Sequence, residues 1–90
     1  MSETKRAMIT VHLRYFASIR ESLNFGNEDW QTSATTVGAL RAELLARGQT
    51  YQCLSADKPV RMALDQVMCQ DSALLRDGCE LGFFPPVTGG

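Results

Sequence analysis

The end of the sequence limits the fold most strongly, because two consecutive prolines follow an alternating hydrophobic run. Residues 79–84 read CELGFF, in which apolar side chains recur at every second position. This is the period of a β-strand with one buried side. Pro85 and Pro86 lack the backbone N–H that a sheet requires, and each fixes φ. The sequence therefore predicts a strand that ends at Phe84 and an extended segment, residues 85–90, that leaves the sheet.

This predicted tail carries little side-chain chemistry and ends in two glycines. It consists of Pro85, Pro86, Val87, Thr88, Gly89 and Gly90. At about 3.3 Å per residue, its six residues can carry the terminal carboxylate roughly 20 Å from the domain. The glycine pair can enter a channel in which any Cβ would collide. A frayed terminus is the simpler interpretation, but frayed termini are more often charged and polar, so the tail is a candidate functional element.

Length and charge exclude several classes of protein. Ninety residues, 44% of them hydrophobic, predict one small domain with a single core. The formal charge of −1, without a basic run, argues against nucleic acid or an anionic membrane as a partner. No apolar run approaches the roughly 20 residues of a membrane span, and residues 1–7 form a short polar lead rather than a secretory signal. A cytoplasmic location is expected.

The first half of the chain predicts two strands and a short helix. Residues 9–15 alternate strictly, with Ile, Val, Leu and Tyr on one face and Thr, His and Arg on the other. Ser18 and Glu21 have the spacing of a capping box, which predicts a short helix over residues 19–23. Turn-forming residues follow, and residues 28–32 predict a second strand around Trp30.

The strongest helix prediction begins at Thr36, a good N-cap. Apolar residues recur after it at helical spacing, Glu43 is placed to pair with Arg47, and Gly48 is expected as a left-handed C-cap. Residues 49–59 are expected to be irregular. Residues 60–68 predict a hairpin that turns at Asp65 and Gln66, and residues 77–78 predict the turn before the final strand.

This order of elements predicts an α+β domain, with a mixed sheet and helices packed on one face. The first and last strands have the clearest pattern, and we expect them to be parallel neighbours in the middle of the sheet, joined by the helical crossover that such pairing requires. The tail would then leave the sheet from its best-anchored strand.

Side chains that could support catalysis are few. His12, the single histidine, lies on the polar face of the first strand, where a solvated or cross-strand role is favoured over a general base. The carboxylates are scattered, and no metal site, phosphate loop or nucleophile motif is present. Cys79 is in phase with the buried face of the last strand, whereas Cys53 and Cys69 are near strand ends or loops; packed, reduced thiols are favoured over a reactive one.

The terminal carboxylate is therefore the best candidate for a reacting group. An ATP-using partner could activate Gly90 as an acyl-adenylate, and a sulfur or amine nucleophile could then capture it inside a cavity of another protein. In that interpretation the domain supplies recognition and the tail supplies the reacting atom.

The ending Phe83-Phe84-Pro85-Pro86-Val87-Thr88-Gly89-Gly90 resembles that of the molybdopterin synthase small subunits, a family of sulfur-carrier proteins. Weaker similarities follow in the family's order, at residues 11–16 and 20–21, at Thr36-Val37 with Leu40-Arg41, at residues 62–66 and at residues 75–78. The resemblance implies a β-grasp, ubiquitin-like fold over residues 8–84, with residues 85–90 as a protruding reactive tail.

The resemblance also implies a mechanism and partners. A ubiquitin-activating-type enzyme would consume ATP to adenylate Gly90, and a sulfur donor protein would convert it to a thiocarboxylate. The tail would then enter the active site of the large synthase subunit and donate sulfur to a cyclic pterin monophosphate. In the family, two large and two small subunits form a heterotetramer. Gly89 would let the tip enter, and the docking surface would include Phe83, Phe84, Pro85, Pro86, Val87 and Thr88. No intrinsic cofactor or metal is expected, because catalytic residues would lie on the large subunit.

Three alternatives stay open at the level of the sequence. One is a ubiquitin-like modifier whose Gly90 is joined to a lysine, and another is a sulfur carrier for thiamine or transfer-RNA thiolation. Both keep the fold and the Gly-Gly tip. The third is an interaction domain whose tail has no chemistry.

Overall fold

In the computed structural model, which describes residues 8–55 and 60–85, the chain forms five strands, two α-helices and one 3-10 helix. The strands are β1 (Ile9–Tyr15), β2 (Asn27–Thr32), β3 (Arg61–Leu64), β4 (Val67–Cys69) and β5 (Glu80–Phe84). The helices are α1 (Ala17–Leu23), α2 (Val37–Leu45) and the 3-10 helix Gln49–Leu54.

The five strands form one mixed sheet in the order β2-β1-β5-β3-β4. β1 and β5 are parallel and central, and the other pairs are antiparallel. The predicted parallel pairing of the first and last strands is thus confirmed. Because α1 and α2 lie between these two strands in the chain, they belong to the crossover that the parallel pair needs.

The core lies on one face of this sheet. Val11, Leu13 and Leu81 are fully buried there, as the alternation of β1 and β5 predicted. The helices contribute buried residues to the same cluster, which are Ile19, Leu23, Val37, Leu40 and Leu44. Both helices therefore cover the same face, and this confirms the predicted α+β class.

Helix α2 begins as predicted, because the Thr36 side chain accepts a hydrogen bond from the Ala39 N–H at 3.2 Å. Its C-terminus was predicted wrongly. The C-cap is Ala46 in a right-handed conformation, and Gly48 has φ +133° and ψ −175° and precedes the 3-10 helix, in a segment predicted as irregular. Tyr51 and Leu54 of this 3-10 helix are buried in the core. Their burial stabilises a helix that the local sequence did not predict.

Two further local predictions are wrong for tertiary reasons. The N-cap of α1 is Phe16, without a side-chain cap, rather than Ser18 in a capping box. Glu43 accepts hydrogen bonds from Trp30 at 3.0 Å and Thr32 at 2.7 Å instead of pairing with Arg47. Glu43 bonds to β2 because its partners there are partly buried, whereas a solvent-exposed ion pair along one helix contributes little to stability.

The hairpin at Asp65 and Gln66 is confirmed, and both residues have positive φ, as a two-residue hairpin turn requires. The Asp65 carboxylate also accepts hydrogen bonds from the Glu80 N–H at 3.0 Å and from Arg76 at 2.8 Å. Just before β5, the Gly78 N–H donates to the Thr10 carbonyl of β1 at 2.7 Å. These contacts hold the chain in place where β5 begins.

Candidate functional site

The candidate site is the place where the chain leaves β5. This strand is paired on both sides near its end, since Phe83 lies opposite Tyr15 of β1 and Phe84 lies opposite Arg61 of β3. The Phe16 N–H also donates to the Phe83 carbonyl at 3.2 Å. The start of the tail therefore follows a central strand that has a hydrogen-bonded neighbour on each side.

Phe83 belongs to the core. Its side chain is fully buried and stacks on Tyr15, with ring centroids 5.8 Å apart and planes at 17°. This burial agrees with the phase of β5, but it corrects the assignment of Phe83 to a docking surface, because a side chain without exposed area cannot contact a partner. Any influence of Phe83 on binding must act through its neighbours.

Phe84 points to the opposite face of the sheet. It is half-buried and lies flat against Phe16, with ring centroids 4.4 Å apart and planes at 2°. Gly82 lies under both rings, because a Cβ built on it would come within 3.2 Å of each. Pro85 is also half-buried, and it is the last residue that the structure describes. Pro86, Val87, Thr88, Gly89 and Gly90 were predicted as site residues and lie outside the described residues.

A shallow groove runs beside this stack on the face without helices. It is lined by Arg14, Phe16, Ala63, Gln66, Met68, Glu80, Gly82 and Phe84. Ala63 and Gly82 leave a low floor between the stacked rings and Met68, whose side chain is largely exposed. Arg14 and Glu80 approach each other to 3.8 Å at its polar side. The groove is thus apolar at its floor and charged along part of its rim.

His12 is on the same face, but far from the exit. Its Nδ1 lies 2.7 Å from Asp29 Oδ1, and both side chains are substantially exposed. His12 faces Glu80, at the start of β5, whereas the tail leaves after Phe84. The cross-strand role predicted for His12 is what the structure shows.

A second polar cluster lies on the helix side. Glu28 Oε2 accepts hydrogen bonds from the hydroxyls of Tyr15 at 2.9 Å and Tyr51 at 3.0 Å, and Arg47 is 3.6 Å from Glu28 Oε1. Burial, followed by the hydrogen bond to Glu28 and its negative charge, raises the pKa of both tyrosines above the ordinary value. These neutral phenols tie the 3-10 helix to the sheet, so the cluster is structural.

The thiols show no sign of activation. Cys79 is buried in the core as predicted, and Cys53 and Cys69 are half-buried. Burial, with a smaller effect of Asp71, raises the pKa of Cys69, which is the opposite of what a nucleophilic thiol needs. Within residues 8–55 and 60–85, no group of three potential metal ligands is found, and no helix is long and apolar enough to cross a membrane.

Phe16 is the site residue that the sequence analysis missed. The signal was present as two aromatic pairs, Tyr15-Phe16 and Phe83-Phe84, each at the end of a strongly patterned strand. When β1 and β5 are parallel and Tyr15 lies opposite Phe83, the residues that follow them, Phe16 and Phe84, both lie on the face of the sheet without helices. The register between the strands brings the two rings together, and the sequence alone does not specify that register.

The family follows from a comparison with known sequences. The sequence model of the ThiS family matches residues 13–90, which include the end of β1, all of β5 and residues 85–90. This chain belongs to the ThiS family.

A curated relative resembles the chain over nearly its whole length. The molybdopterin synthase sulfur carrier subunit of Escherichia coli K12 is 31% identical to this ThiS family member over 80 residues, which cover 89% of this chain and 99% of the relative. The resemblance to sulfur-carrier small subunits that the tail motif indicated is therefore confirmed.

Solved structures confirm the ubiquitin-like β-grasp fold of this family member. The small archaeal modifier protein 1 from Methanosarcina acetivorans superposes with a TM-score of 0.74 at 19% identity, covering 93% of this chain and 99% of that one. A chain from the complex of subunits 1 and 2 of molybdopterin-converting factor from Helicobacter pylori superposes with a TM-score of 0.62 at 25% identity, covering 91% and 100%.

Proposed function

We propose that this chain is the sulfur-carrier small subunit of a molybdopterin synthase, with the carboxylate of Gly90 as the reacting group. The observation that carries the proposal is the 31% identity to a curated molybdopterin synthase sulfur carrier subunit across 99% of that protein. The position of the exit supports it, since β5 is paired with β1 up to Phe83 and with β3 up to Phe84. The domain can thus act as a rigid base for a narrow tail.

The proposed chemistry has three steps. The Gly90 carboxylate attacks the α-phosphate of ATP on an activating enzyme, which releases pyrophosphate and forms an acyl-adenylate. Bisulfide delivered by a donor protein attacks the acyl carbon, AMP leaves as the C–O bond to it breaks, and the new C–S bond gives a thiocarboxylate. The tail then enters the large subunit, where the sulfur is transferred to a cyclic pterin monophosphate. Residues of this chain bind and position the tip, and the catalytic groups belong to the partners.

The large subunit as partner has its own support. One structural relative was solved as a complex of subunits 1 and 2 of molybdopterin-converting factor. On this chain, the groove beside Phe84 lies next to the exit and offers an apolar floor with a charged rim, which is the composition of many docking surfaces. We propose that the large subunit covers this open face while the tail enters its active site.

Mass spectrometry of the intact protein tests the carrier role. The chain is incubated with an activating enzyme, ATP and bisulfide as the sulfur source, and a parallel sample lacks ATP. We expect an ATP-dependent mass gain that matches one oxygen replaced by sulfur, located on the C-terminal peptide. Isopeptide-linked products without a thiocarboxylate would indicate a modifier instead.

Variants of the tip give the matching activity test. Deletion of Gly90, or addition of one residue after it, should abolish sulfur transfer and leave the unfolding transition unchanged, since β5 and its pairing are untouched. His12→Gln is the control, because His12 is on the same strand pair but at its opposite end. Full transfer by either tip variant would contradict the mechanism.

A further inference from the structure

We propose that Phe16 is a positioning residue, whose ring fixes the direction in which the chain leaves β5 and thereby places Gly90 for activation. The inference rests on the proposed function and extends it to a residue outside the tail. The distance and parallel planes of the Phe16 and Phe84 rings, 4.4 Å and 2°, are the first observation. Contacts of Phe16 with β5 therefore reach the last residue before the prolines.

Gly82 has no side chain, and this leaves room on β5 for the two stacked rings. Its position is on the open face, between Arg14 of β1 and Ala63 of β3. A Cβ there would come within 3.2 Å of Phe16 Cε2 and Phe84 Cε1, closer than most contacts of real Cβ atoms. The rings thus lie closely over the strand, and even one added methyl group would have to displace one of them.

The backbone of Phe16 is held by hydrogen bonds at both its N–H and its carbonyl. Its N–H donates to the Phe83 carbonyl at 3.2 Å, and its carbonyl accepts from the Ile19 N–H at 3.1 Å. The next residue, Ala17, has φ +52°, a conformation that residues other than glycine seldom adopt. Such a residue persists only where the surrounding structure holds it. The corner between β1 and α1 is therefore a fixed point from which the Phe16 ring reaches β5.

The consequence follows from the first proline. Pro85 has a fixed φ, so the first torsion after Phe84 is restricted, and a change in the orientation of Phe84 also changes the direction in which Pro85 leaves the strand. Misplacement of a reacting group by about 1 Å can slow a reaction on the order of 100-fold. Loss of the stack should therefore lower the rate of activation more than it lowers the affinity for the enzyme.

The test is ATP–pyrophosphate exchange catalysed by a ubiquitin-activating-type adenylating enzyme in the presence of the chain. For Phe16→Ala we expect kcat to fall on the order of 10-fold, with KM for the chain changing less than about threefold. Gly82→Ala should give a smaller change of the same kind, because it displaces the rings without removing either. Phe25→Ala is the matched control, since Phe25 is also partly exposed and packs edge-on against Tyr15.

The NMR chemical shifts of the Phe84 ring protons report on the stack itself, and a change in stability alone would not alter them. The ring current of Phe16 should shift the ring protons of Phe84, and this shift should disappear in Phe16→Ala but persist in Phe25→Ala. If Phe16→Ala does not fold, Phe16→Leu and Gly82→Ala carry the same comparison.

The outcomes separate the two proposals. Failure of the wild-type chain to support any exchange overturns the proposed function. An active wild-type chain together with unchanged kcat in folded Phe16 and Gly82 variants overturns the positioning role alone. An increase in KM at unchanged kcat also overturns it, because Phe16 would then be a contact residue for the enzyme.

Discussion

Two aromatic pairs occupy neighbouring positions at the ends of β1 and β5 and differ in almost every property. Tyr15 and Phe83 face the helices, are buried, and stack with centroids 5.8 Å apart. Phe16 and Phe84 face the open side, are half-buried, and stack with centroids 4.4 Å apart. A shift of one residue along a strand exchanges the core for the surface.

The difference shows how one strand end can serve stability and function together. The inner pair fastens β1 to β5 inside the core, where any loss of volume leaves a cavity. The outer pair contributes less to stability, because water already reaches part of it. Because part of each ring is accessible, the outer pair can take part in the proposed placement of the tail and in the docking of a partner.

Phe83→Ala should have the largest effect on stability. We expect a loss of roughly 3–5 kcal/mol in the free energy of unfolding, because the change removes a fully buried ring. Urea unfolding followed by circular dichroism measures it, with Phe83→Leu as the control that keeps most of the volume and should cost less. A loss below about 1 kcal/mol would contradict the assignment of Phe83 to the core.

Alkaline pH should have the next largest effect on stability, through Tyr15 of the inner pair and through Tyr51. Above about pH 10 the unfolded chain loses tyrosine protons, whereas the raised pKa values keep Tyr15 and Tyr51 protonated in the folded chain. Stability is therefore fully present below that pH and falls as the pH rises, by up to about 1.4 kcal/mol per pH unit for each of these tyrosines. Unfolding in urea at several pH values measures the slope.

Two substitutions make this pH test specific. Tyr15→Phe should remove one part of the slope, and Tyr51→Phe the other. Both are best made with Cys69→Ala, because the raised pKa of the Cys69 thiol adds a loss of the same sign that starts nearer its ordinary pKa. An unchanged slope in both tyrosine variants would show that these hydroxyls do not remain protonated in the folded chain.

Phe84→Ala should have the smallest effect on stability and thereby sharpens the comparison. We expect a loss of about 1 kcal/mol, since aromatic pairs contribute roughly 0.5–1.5 kcal/mol beyond their area and this ring is already partly solvated. Sulfur transfer in the assay described above should fall much more than this loss of stability explains. A loss as large as that of Phe83→Ala would mean that the outer pair is part of the core.

The sequence predicted those features of the fold that depend on period and on turn chemistry. The alternation of β1 and β5, the Thr36 N-cap and the turn at Asp65 and Gln66 were all confirmed. The C-terminus of α2, the cap of α1 and the 3-10 helix were not predicted. At the 3-10 helix the burial of Tyr51 and Leu54 outweighs a weak local preference, and Glu43 likewise bonds to β2 instead of Arg47.

For the candidate site, the sequence by itself determined the end of the sheet and the character of the tail. The two prolines cannot continue a ladder, and the glycine pair carries no Cβ, so these properties are local and can be read directly. The phase of β5 already indicated that Phe83 is buried, but only the tertiary structure decided that Phe84 is accessible and that Phe16 lies against it. The physical reason is the parallel register of β1 and β5, which depends on packing between residues almost 70 positions apart rather than on either strand alone.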